Sequence, residues 1–318
     1  MYNKLLRLLL LGGLLFLMPQ GNAYACDACG LFAGVTPMDL QSQAGLYFRY
    51  RSFAGLNDAA ALGSGKTQHG PGDTGQDHND GGDYRENFHR IALNVRWFLG
   101  QKWNLQASIP VTANHERWPD GSKQGAGLSD VTLILNRGLV VQDNFNRSGR
   151  IFVGAGVKLP TGWRFRNVND RISFFDIQGT TESLDFVFQT ETSFRFGNNG
   201  FLGNAIYRVN TSNANGLRFG NFFNLTVNYF RKFDLPGIGM RVMPFVGTYV
   251  EAFSGRYRNG EREYATGGEF LFANLGVNAF VGRFAFRPQI QIPVTQRLND
   301  RQLKSRAIAN LNIDFFFN

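Results

Sequence analysis

The stretch of sequence that decides the fold reads Ala92-Leu93-Asn94-Val95-Arg96-Trp97-Phe98-Leu99. Leu93, Val95, Trp97 and Leu99 share one face of an extended chain, and Ala92, Asn94 and Arg96 share the other. This alternation predicts a β-strand with one apolar and one hydrated face. About eleven other segments repeat the pattern, and such strands in a closed sheet, with lipid outside and water inside, predict an all-β protein, a transmembrane antiparallel up-and-down β-barrel.

The predicted strands and their connections support a barrel of about twelve strands. We predict strands at about 45–53, 88–99, 103–112, 129–140, 150–159, 183–196, 200–209, 219–230, 239–252, 269–281, 283–294 and 306–317. Short connections at 100–102, 197–200, 235–237 and 282–283 alternate with longer polar ones at 55–87, 113–128, 161–182 and 254–268. Short periplasmic turns and longer outer loops are typical of an outer-membrane barrel, and an even strand count places both chain ends in the periplasm.

Phenylalanine is abundant, with 31 residues among 318. A lipid-facing surface rich in Phe explains this abundance, as does the Phe-rich core of a secreted β-sandwich. We favour the barrel because a sandwich does not need so many strands in one uninterrupted series.

The amino terminus has the features of a cleaved signal peptide. Lys4 and Arg7 precede an apolar run at 8–18, and Ala23-Tyr24-Ala25 supplies an A-x-A cleavage pattern. We predict a signal peptide at 1–25, a periplasmic segment at 26–43 and the barrel at 44–318. No later stretch is apolar for 18 residues, so the sequence predicts no membrane-spanning helix.

The net charge indicates anionic partners outside the cytoplasm. The whole chain carries +9, which becomes +7 when Lys4 and Arg7 leave with the leader. The leader and the lack of a basic block exclude nucleic acid as the expected partner. We expect contacts with membrane lipid, with lipopolysaccharide and with a small solute. The sequence identifies no periplasmic partner.

The alternation also assigns charged side chains to the interior of the barrel, because a charge on the lipid face costs about 2–4 kcal/mol at mid-membrane. The predicted pore-lining residues are Arg49, Arg51, Arg96, Lys158, Asp185, Glu191, Arg195, Arg208, Arg241, Glu251, Arg287 and Asp314. Such an interior would favour anions in a conducting pore. It could equally be a salt-bridged plug that only stabilises the barrel, and about twelve strands are compatible with both.

Two groups of residues could bind a metal. Cys26 and Cys29 form a C-x-x-C pair, which fits a disulfide, lipidation of Cys26, or a soft metal for which two thiolates are only half a site. The first outer loop holds a second group, namely His69, Asp73, Asp77, His78, Asp80 and Asp83. This loop lacks EF-hand spacing, and Gly- and Asp-rich loops are usually solvated, so we predict no metal site there.

The sequence gives little support for an enzyme. An outer-membrane hydrolase would need a serine near a histidine at the outer rim, where Ser122, Ser183, His89 and His115 are expected. The chain has no nucleophile elbow and no H-E-x-x-H motif. We predict no enzymatic activity and no cofactor.

Two motifs resemble a known family. They are Gly127-Leu128-Ser129-Asp130-Val131-Thr132-Leu133 and Phe152-Val153-Gly154-Ala155-Gly156-Val157-Lys158-Leu159-Pro160-Thr161-Gly162. The chain resembles outer-membrane transporter-like barrels of the "MetA-pathway of phenol degradation" family, in which Gly usually stands at the position of Ser129. The resemblance implies a barrel with a role in transport and says little about the substrate.

The sequence therefore predicts a channel in the outer membrane of a Gram-negative cell. We expect passive or facilitated passage of a small solute, anionic or aromatic. The alternative is a non-conducting structural or interaction barrel that acts through its outer loops.

Overall fold

A computed structural model describes residues 40–56, 85–118, 121–144, 147–163, 179–263, 266–298 and 303–317. The strands are β1 (Ser42–Leu56), β2 (Arg85–Phe98), β3 (Trp103–Trp118), β4 (Gly121–Leu128), β5 (Thr132–Asn144), β6 (Arg147–Lys158), β7 (Asp185–Phe196), β8 (Asn199–Val209), β9 (Leu217–Arg218), β10 (Phe222–Arg231), β11 (Phe233–Leu235), β12 (Met240–Phe253), β13 (Tyr257–Arg258), β14 (Glu261–Arg262), β15 (Gly268–Val281), β16 (Phe284–Leu298) and β17 (Leu303–Phe317). One 3₁₀ turn at Pro236–Ile238 precedes β12. No helix among these residues is long and apolar enough to cross a membrane. The predicted signal peptide, both cysteines and the His- and Asp-containing loop lie outside the described residues.

The strands form a closed antiparallel barrel with twelve positions in its wall, which confirms the predicted fold class. Neighbours in the wall are mostly neighbours in sequence, and β17 closes the barrel on β1 from Ser42↔Phe317 to Arg51↔Ile308. β4 and β5 share one position, because both pair with β3 and only residues 129–131 interrupt them. This interruption positions a cluster of charged residues described below.

One expected loop is a pair of strands instead. The sequence placed a long connection at 113–128, but β3 continues through this region and pairs with β4. The side chains here are polar on both faces, with Asn114 and Glu116 on one side and His115 and Arg117 on the other. The apolar alternation that predicts a strand is therefore absent, although the backbone pairing continues.

The two faces of the wall have the predicted character. Leu93 is 42% exposed on the outward face, whereas its neighbour Ala92 is 1% exposed on the inward face. Other apolar residues that remain exposed on the outward face are Leu46, Ile91, Leu105, Ile109, Val111, Leu135, Phe188, Val227, Val246, Leu275, Ile290 and Ile292. An apolar outward face of this kind has the composition of a lipid-facing surface.

Aromatic residues with polar tips lie toward both ends of the outward face. We call the ends the short-turn end, which carries the chain termini of the barrel, and the long-loop end. Toward the short-turn end, the Tyr229 hydroxyl donates to Asn199 Oδ1 at 2.6 Å. Toward the long-loop end, the Tyr50 hydroxyl donates to Asn87 Oδ1 at 2.9 Å. These positions correspond to the aromatic girdles that mark the two interfaces of a membrane barrel.

An apolar cluster fills one side of the interior at the short-turn end. Its buried members are Leu202, Phe230, Met243, Phe280, Ala285 and Phe316. Gly200 makes room for it, because a Cβ atom there would lie 2.4 Å from Phe230 Cζ. The polar part of the interior at this end is therefore displaced toward the opposite wall.

Candidate functional site

The barrel interior contains most of the residues that the sequence assigned to it. Ten of the twelve predicted pore-lining residues are less than one-tenth exposed, and these are Arg49, Arg51, Arg96, Lys158, Asp185, Glu191, Arg208, Glu251, Arg287 and Asp314. The other two lie near the short-turn end and are more exposed. Arg195 donates to the Gly197 carbonyl at 3.3 Å, and Arg241 pairs with Asp234 at 2.6 Å. Whether these residues line a pore stays a prediction.

One group of charges crosses the interior in the long-loop half. Arg51 Nη1 lies 2.6 Å from Glu251 Oε2, and Arg49 Nη2 lies 3.2 Å from Glu251 Oε1. Three wall strands separate β1 from β12, so these ion pairs span the interior instead of following the wall. Two guanidiniums therefore share one carboxylate here.

An aromatic band lines the interior next to this group. We use this name for the inward-facing rings of Phe53, Phe88, Phe222, Tyr249, Phe253, Phe270 and Phe272. The Arg51 guanidinium lies 4.5 Å from the centroid of Phe53 and 5.0 Å from that of Phe270. The Arg208 guanidinium lies 5.6 Å from the centroid of Phe222. These distances are in the range of cation–π interactions.

The sequence does not predict this band. Its abundant phenylalanines are expected on the lipid face, yet these rings point inward. A signal was available, because Phe53 has the same parity along its strand as Arg49 and Arg51. The alternation identified the two faces of each strand, but composition alone did not show that the inward face is partly aromatic.

A second ion pair crosses the interior nearer the short-turn end. Arg96 on β2 and Glu191 on β7 meet at 2.5 Å, and Gln106 Nε2 donates to the same carboxylate at 3.3 Å. Buried amides surround this pair, with Asn136 Nδ2 donating to Asn104 Oδ1 at 3.1 Å. The wall opposite the apolar cluster is therefore a network of charges and amides.

Several buried polar atoms have no hydrogen-bond partner among the described residues. They include Arg96 Nε, Arg208 Nε, Arg287 Nε and both polar atoms of the Gln291 side chain. A buried donor or acceptor left unsatisfied costs about 1–3 kcal/mol. The interior therefore favours water or a polar solute over an apolar filling.

A buried cluster at the interruption between β4 and β5 joins the two family-like motifs. Lys158 Nζ lies 2.7 Å from Asp130 Oδ2 and 2.9 Å from Asp185 Oδ2. Asp130 Oδ1 accepts from the Gly162 amide at 3.1 Å, and Asp130 Oδ2 accepts from the Thr181 amide at 3.0 Å. The first motif supplies Asp130, and the second supplies Lys158 and Gly162. Lys158 and Asp185 are among the predicted pore-lining residues, whereas the sequence predicts no role for Asp130.

The serine and histidine residues considered for an enzyme do not all lie on the same side of the barrel wall. Ser183 is buried on the inner side, where its hydroxyl donates to Asp185 Oδ1 at 2.9 Å. His89 is exposed on the outward face, with its ring 4.9 Å from that of Tyr50. Ser183 and His89 therefore lie on opposite sides of the wall. Within the described residues, no three His, Cys, Asp or Glu side chains are placed to hold a metal ion.

The fold and the interior define a transmembrane β-barrel of the outer-membrane type. No family model matches the chain, and no curated protein matches its sequence. Among solved structures it is similar to the COG4313 outer membrane channel from Pseudomonas putida F1, at 12% identity over 94% of this chain and 100% of that one, with a TM-score of 0.60. It is also similar to the beta domain of the Bordetella autotransporter BrkA, at 14% identity over 88% of this chain and 100% of that one, with a TM-score of 0.49. The first likeness shows that the chain has an outer-membrane barrel fold, and the TM-score of the second is too low to add to it.

Proposed function

We propose that the protein is an outer-membrane channel through which a small solute passes, passively or by facilitated diffusion. The observation that carries the proposal is the chemistry of the interior. Among the buried charged side chains of the described residues, eight are cationic and five are acidic. A polar interior with excess positive charge lowers the energy of an anion inside the barrel. The solved structure with the TM-score of 0.60 is itself described as an outer membrane channel, and the resemblance to transporter-like barrels supports the same role.

The interior also supports the proposed type of solute. Excess cationic charge favours an anionic group, and the aromatic band offers ring faces for an aromatic group. Arg208 combines both features, because it is 3% exposed, lies over the ring of Phe222 and has no carboxylate within ion-pair distance in the described part of the chain. The proposed solute is therefore small and carries an anionic or an aromatic group.

A single-channel measurement tests the proposal. The folded protein is inserted into planar bilayers, and its reversal potential is measured in a KCl gradient. We expect discrete current steps and a reversal potential displaced toward that of chloride. Correctly folded protein that carries no current would overturn the proposal.

The same measurement tests the alternative of a non-conducting barrel that acts through its outer loops. In the described part of the chain, ion pairs cross the interior in two places, and the charged side chains there are almost fully buried, as in a plug. A folded barrel without current would favour this alternative. In either case we propose no catalytic activity and no nucleic-acid partner.

The proposed location is the outer membrane of a Gram-negative cell, reached through the predicted signal peptide. The apolar outward face and its two aromatic girdles would contact lipid. Lipopolysaccharide would meet the long-loop end, where Arg218, Arg258 and Arg262 lie on the small sheet of β9, β13 and β14. Phosphate groups of that lipid are suitable partners for guanidinium side chains.

A further inference from the structure

A short segment that precedes β7 lies against the inner wall of the barrel. A Cβ atom at Gly179 would lie 3.2 Å from Ser129 Oγ and 3.4 Å from Thr112 Oγ1, and these two hydroxyls hydrogen-bond each other at 2.9 Å. Thr112 is on the inward face of β3, so residues 179–183 lie on the interior side. Thr180, Thr181 and Ser183 are buried there, and Glu182 is partly exposed. The segment therefore occupies part of the interior near the long-loop end.

Asp130 holds this segment from the wall. Its two carboxylate oxygens accept from the amides of Gly162 and Thr181, which stand on either side of the long connection between β6 and β7. Lys158 lies 2.7 Å from the same carboxylate and 2.9 Å from that of Asp185, so one ammonium offsets part of the charge of both. One side chain thus fastens both ends of a connection, and the charge-assisted hydrogen bonds that it accepts are of the stronger kind.

A second carboxylate fastens the segment to the next outer connection. Asp185 Oδ1 accepts from the Ser183 hydroxyl and from the Thr211 amide, each at 2.9 Å. Asn213 Nδ2 donates to the Thr181 carbonyl at 3.1 Å. The segment is therefore held by Asp130 between β4 and β5, by Asp185 at the start of β7 and by Asn213 after β8.

The interruption between β4 and β5 gives Asp130 its position. At this point the Val131 amide donates to Thr161 Oγ1 at 2.9 Å, and the Trp163 amide donates to the Leu128 carbonyl at 2.8 Å. The backbone groups freed by the break are thus partly satisfied by the turn after β6. The break turns Asp130 toward the segment while the wall stays hydrogen-bonded.

We infer that Asp130 is a positioning residue that holds residues 179–183 against the inner wall and thereby sets the width of the barrel interior at its long-loop end. The inference rests on the proposed function where it concerns solute passage. The fastening itself is independent of passage and can be measured separately. Asp130→Asn removes one of the two negative charges beside Lys158, since Asp185 remains. The amide nitrogen that replaces one oxygen cannot accept a hydrogen bond.

The test combines a labelling reporter with a conductance measurement. The reporter is Ser183→Cys in a full-length chain whose Cys26 and Cys29 are replaced by Ser, labelled in folded barrels with a membrane-impermeant maleimide. With Asp130 intact, we expect slow labelling, because position 183 is buried. In the Asp130→Asn background, we expect labelling about tenfold faster, because the segment then opens locally more often. We also expect single-channel conductance about twofold higher, because the segment no longer narrows the interior.

Asp314→Asn is the matched control. Asp314 is also a buried carboxylate in an ion pair, at 3.4 Å from Arg287 Nη1, but that pair joins the neighbouring strands β16 and β17 and fastens no loop segment. We expect the labelling rate at position 183 to be unchanged in this variant. Equal acceleration in both variants would overturn the inference, because the effect would then be a general loosening of the barrel.

A milder variant covers the case in which Asp130→Asn does not fold, as judged by the heat-dependent gel mobility of barrels. Thr181→Val removes a hydroxyl that lies 3.2 Å from Asp130 Oδ2 and keeps the backbone amide. We expect faster labelling in this variant as well. If labelling accelerates but no variant conducts, the fastening stands and the proposed passage fails. If neither Asp130→Asn nor Thr181→Val changes the labelling rate, the inference is wrong.

Discussion

Arg51 on β1 and Glu251 on β12 meet at 2.6 Å inside the barrel, although β17, β16 and β15 separate their strands along the wall. Glu251 also accepts from Arg49 Nη2 at 3.2 Å. One carboxylate therefore pairs with two guanidiniums that are removed from bulk water. Buried charges are costly unless they are paired, so the stability of this half of the interior depends on Glu251.

Removal of this carboxylate should destabilise the barrel. For Glu251→Gln we expect the free energy of unfolding to fall by about 3–5 kcal/mol, because two buried guanidiniums lose their shared counter-charge. The measurement is urea unfolding of the refolded protein in lipid vesicles. Glu263→Gln is the control, since Glu263 also pairs with two arginines but is more exposed. Its loss should stay below about 1 kcal/mol, and equal losses for the two variants would contradict the role assigned to Glu251.

The strand pattern was predictable because the alternation of apolar and polar residues has a physical cause in the two solvents of a barrel wall. The prediction of strands failed in the β3–β4 pair, because both faces there are polar and the alternation of apolar and polar residues is absent. The face of the wall on which a side chain lies was also predictable, but its position along the barrel axis was not. Arg195 and Arg241 have inward parity, yet they lie near the short-turn end of the barrel. Parity does not fix this depth, because successive residues on the same face of a strand lie about 7 Å apart.

Asp130 shows a different limit. Its sequence context indicated a family-like motif, but its role depends on two backbone amides at Gly162 and Thr181 that are distant in sequence. Backbone donors leave no pattern in side-chain chemistry. The aromatic band was not predicted for a related reason. A phenylalanine can face lipid or pack against other rings inside the barrel, and the residue type alone does not distinguish the two.

Arg208 should contribute to anion selectivity. Arg208→Gln removes a buried cation with no ion-pair partner in the described part of the chain, so we expect the reversal potential in a KCl gradient to shift away from that of chloride. Arg241→Gln is the matched control, because Arg241 is partly exposed and paired with Asp234. That variant should leave the reversal potential nearly unchanged. If Arg241→Gln shifts the reversal potential as much as Arg208→Gln, the selectivity does not depend on the buried, unpaired position of Arg208.

Gly200 should be intolerant of a side chain. A Cβ atom there would lie 2.3 Å from the Phe194 carbonyl oxygen and 2.4 Å from Phe230 Cζ. We expect Gly200→Ala to lower the free energy of unfolding by about 1–3 kcal/mol through overpacking of the apolar cluster. At Gly237, nothing lies within 4 Å of the equivalent position. Gly237→Ala should therefore be nearly neutral in the same urea titration, and a similar loss at both positions would show that steric crowding is not the cause.

The outward faces of β10 and β11 give a direct test of their contact with lipid. Val227 is 41% exposed near the middle of β10, whereas Phe233 on β11 is 45% exposed at the short-turn end. In vesicles, Val227→Arg should lower the free energy of unfolding by about 2–4 kcal/mol, because the charge is placed at the centre of the hydrocarbon, and Phe233→Arg by about 0–1 kcal/mol. The two residues are similarly exposed, so exposure alone predicts no difference between them. Equal costs for the two variants would mean that depth in a membrane does not govern this face, and the outward surface would need another apolar partner.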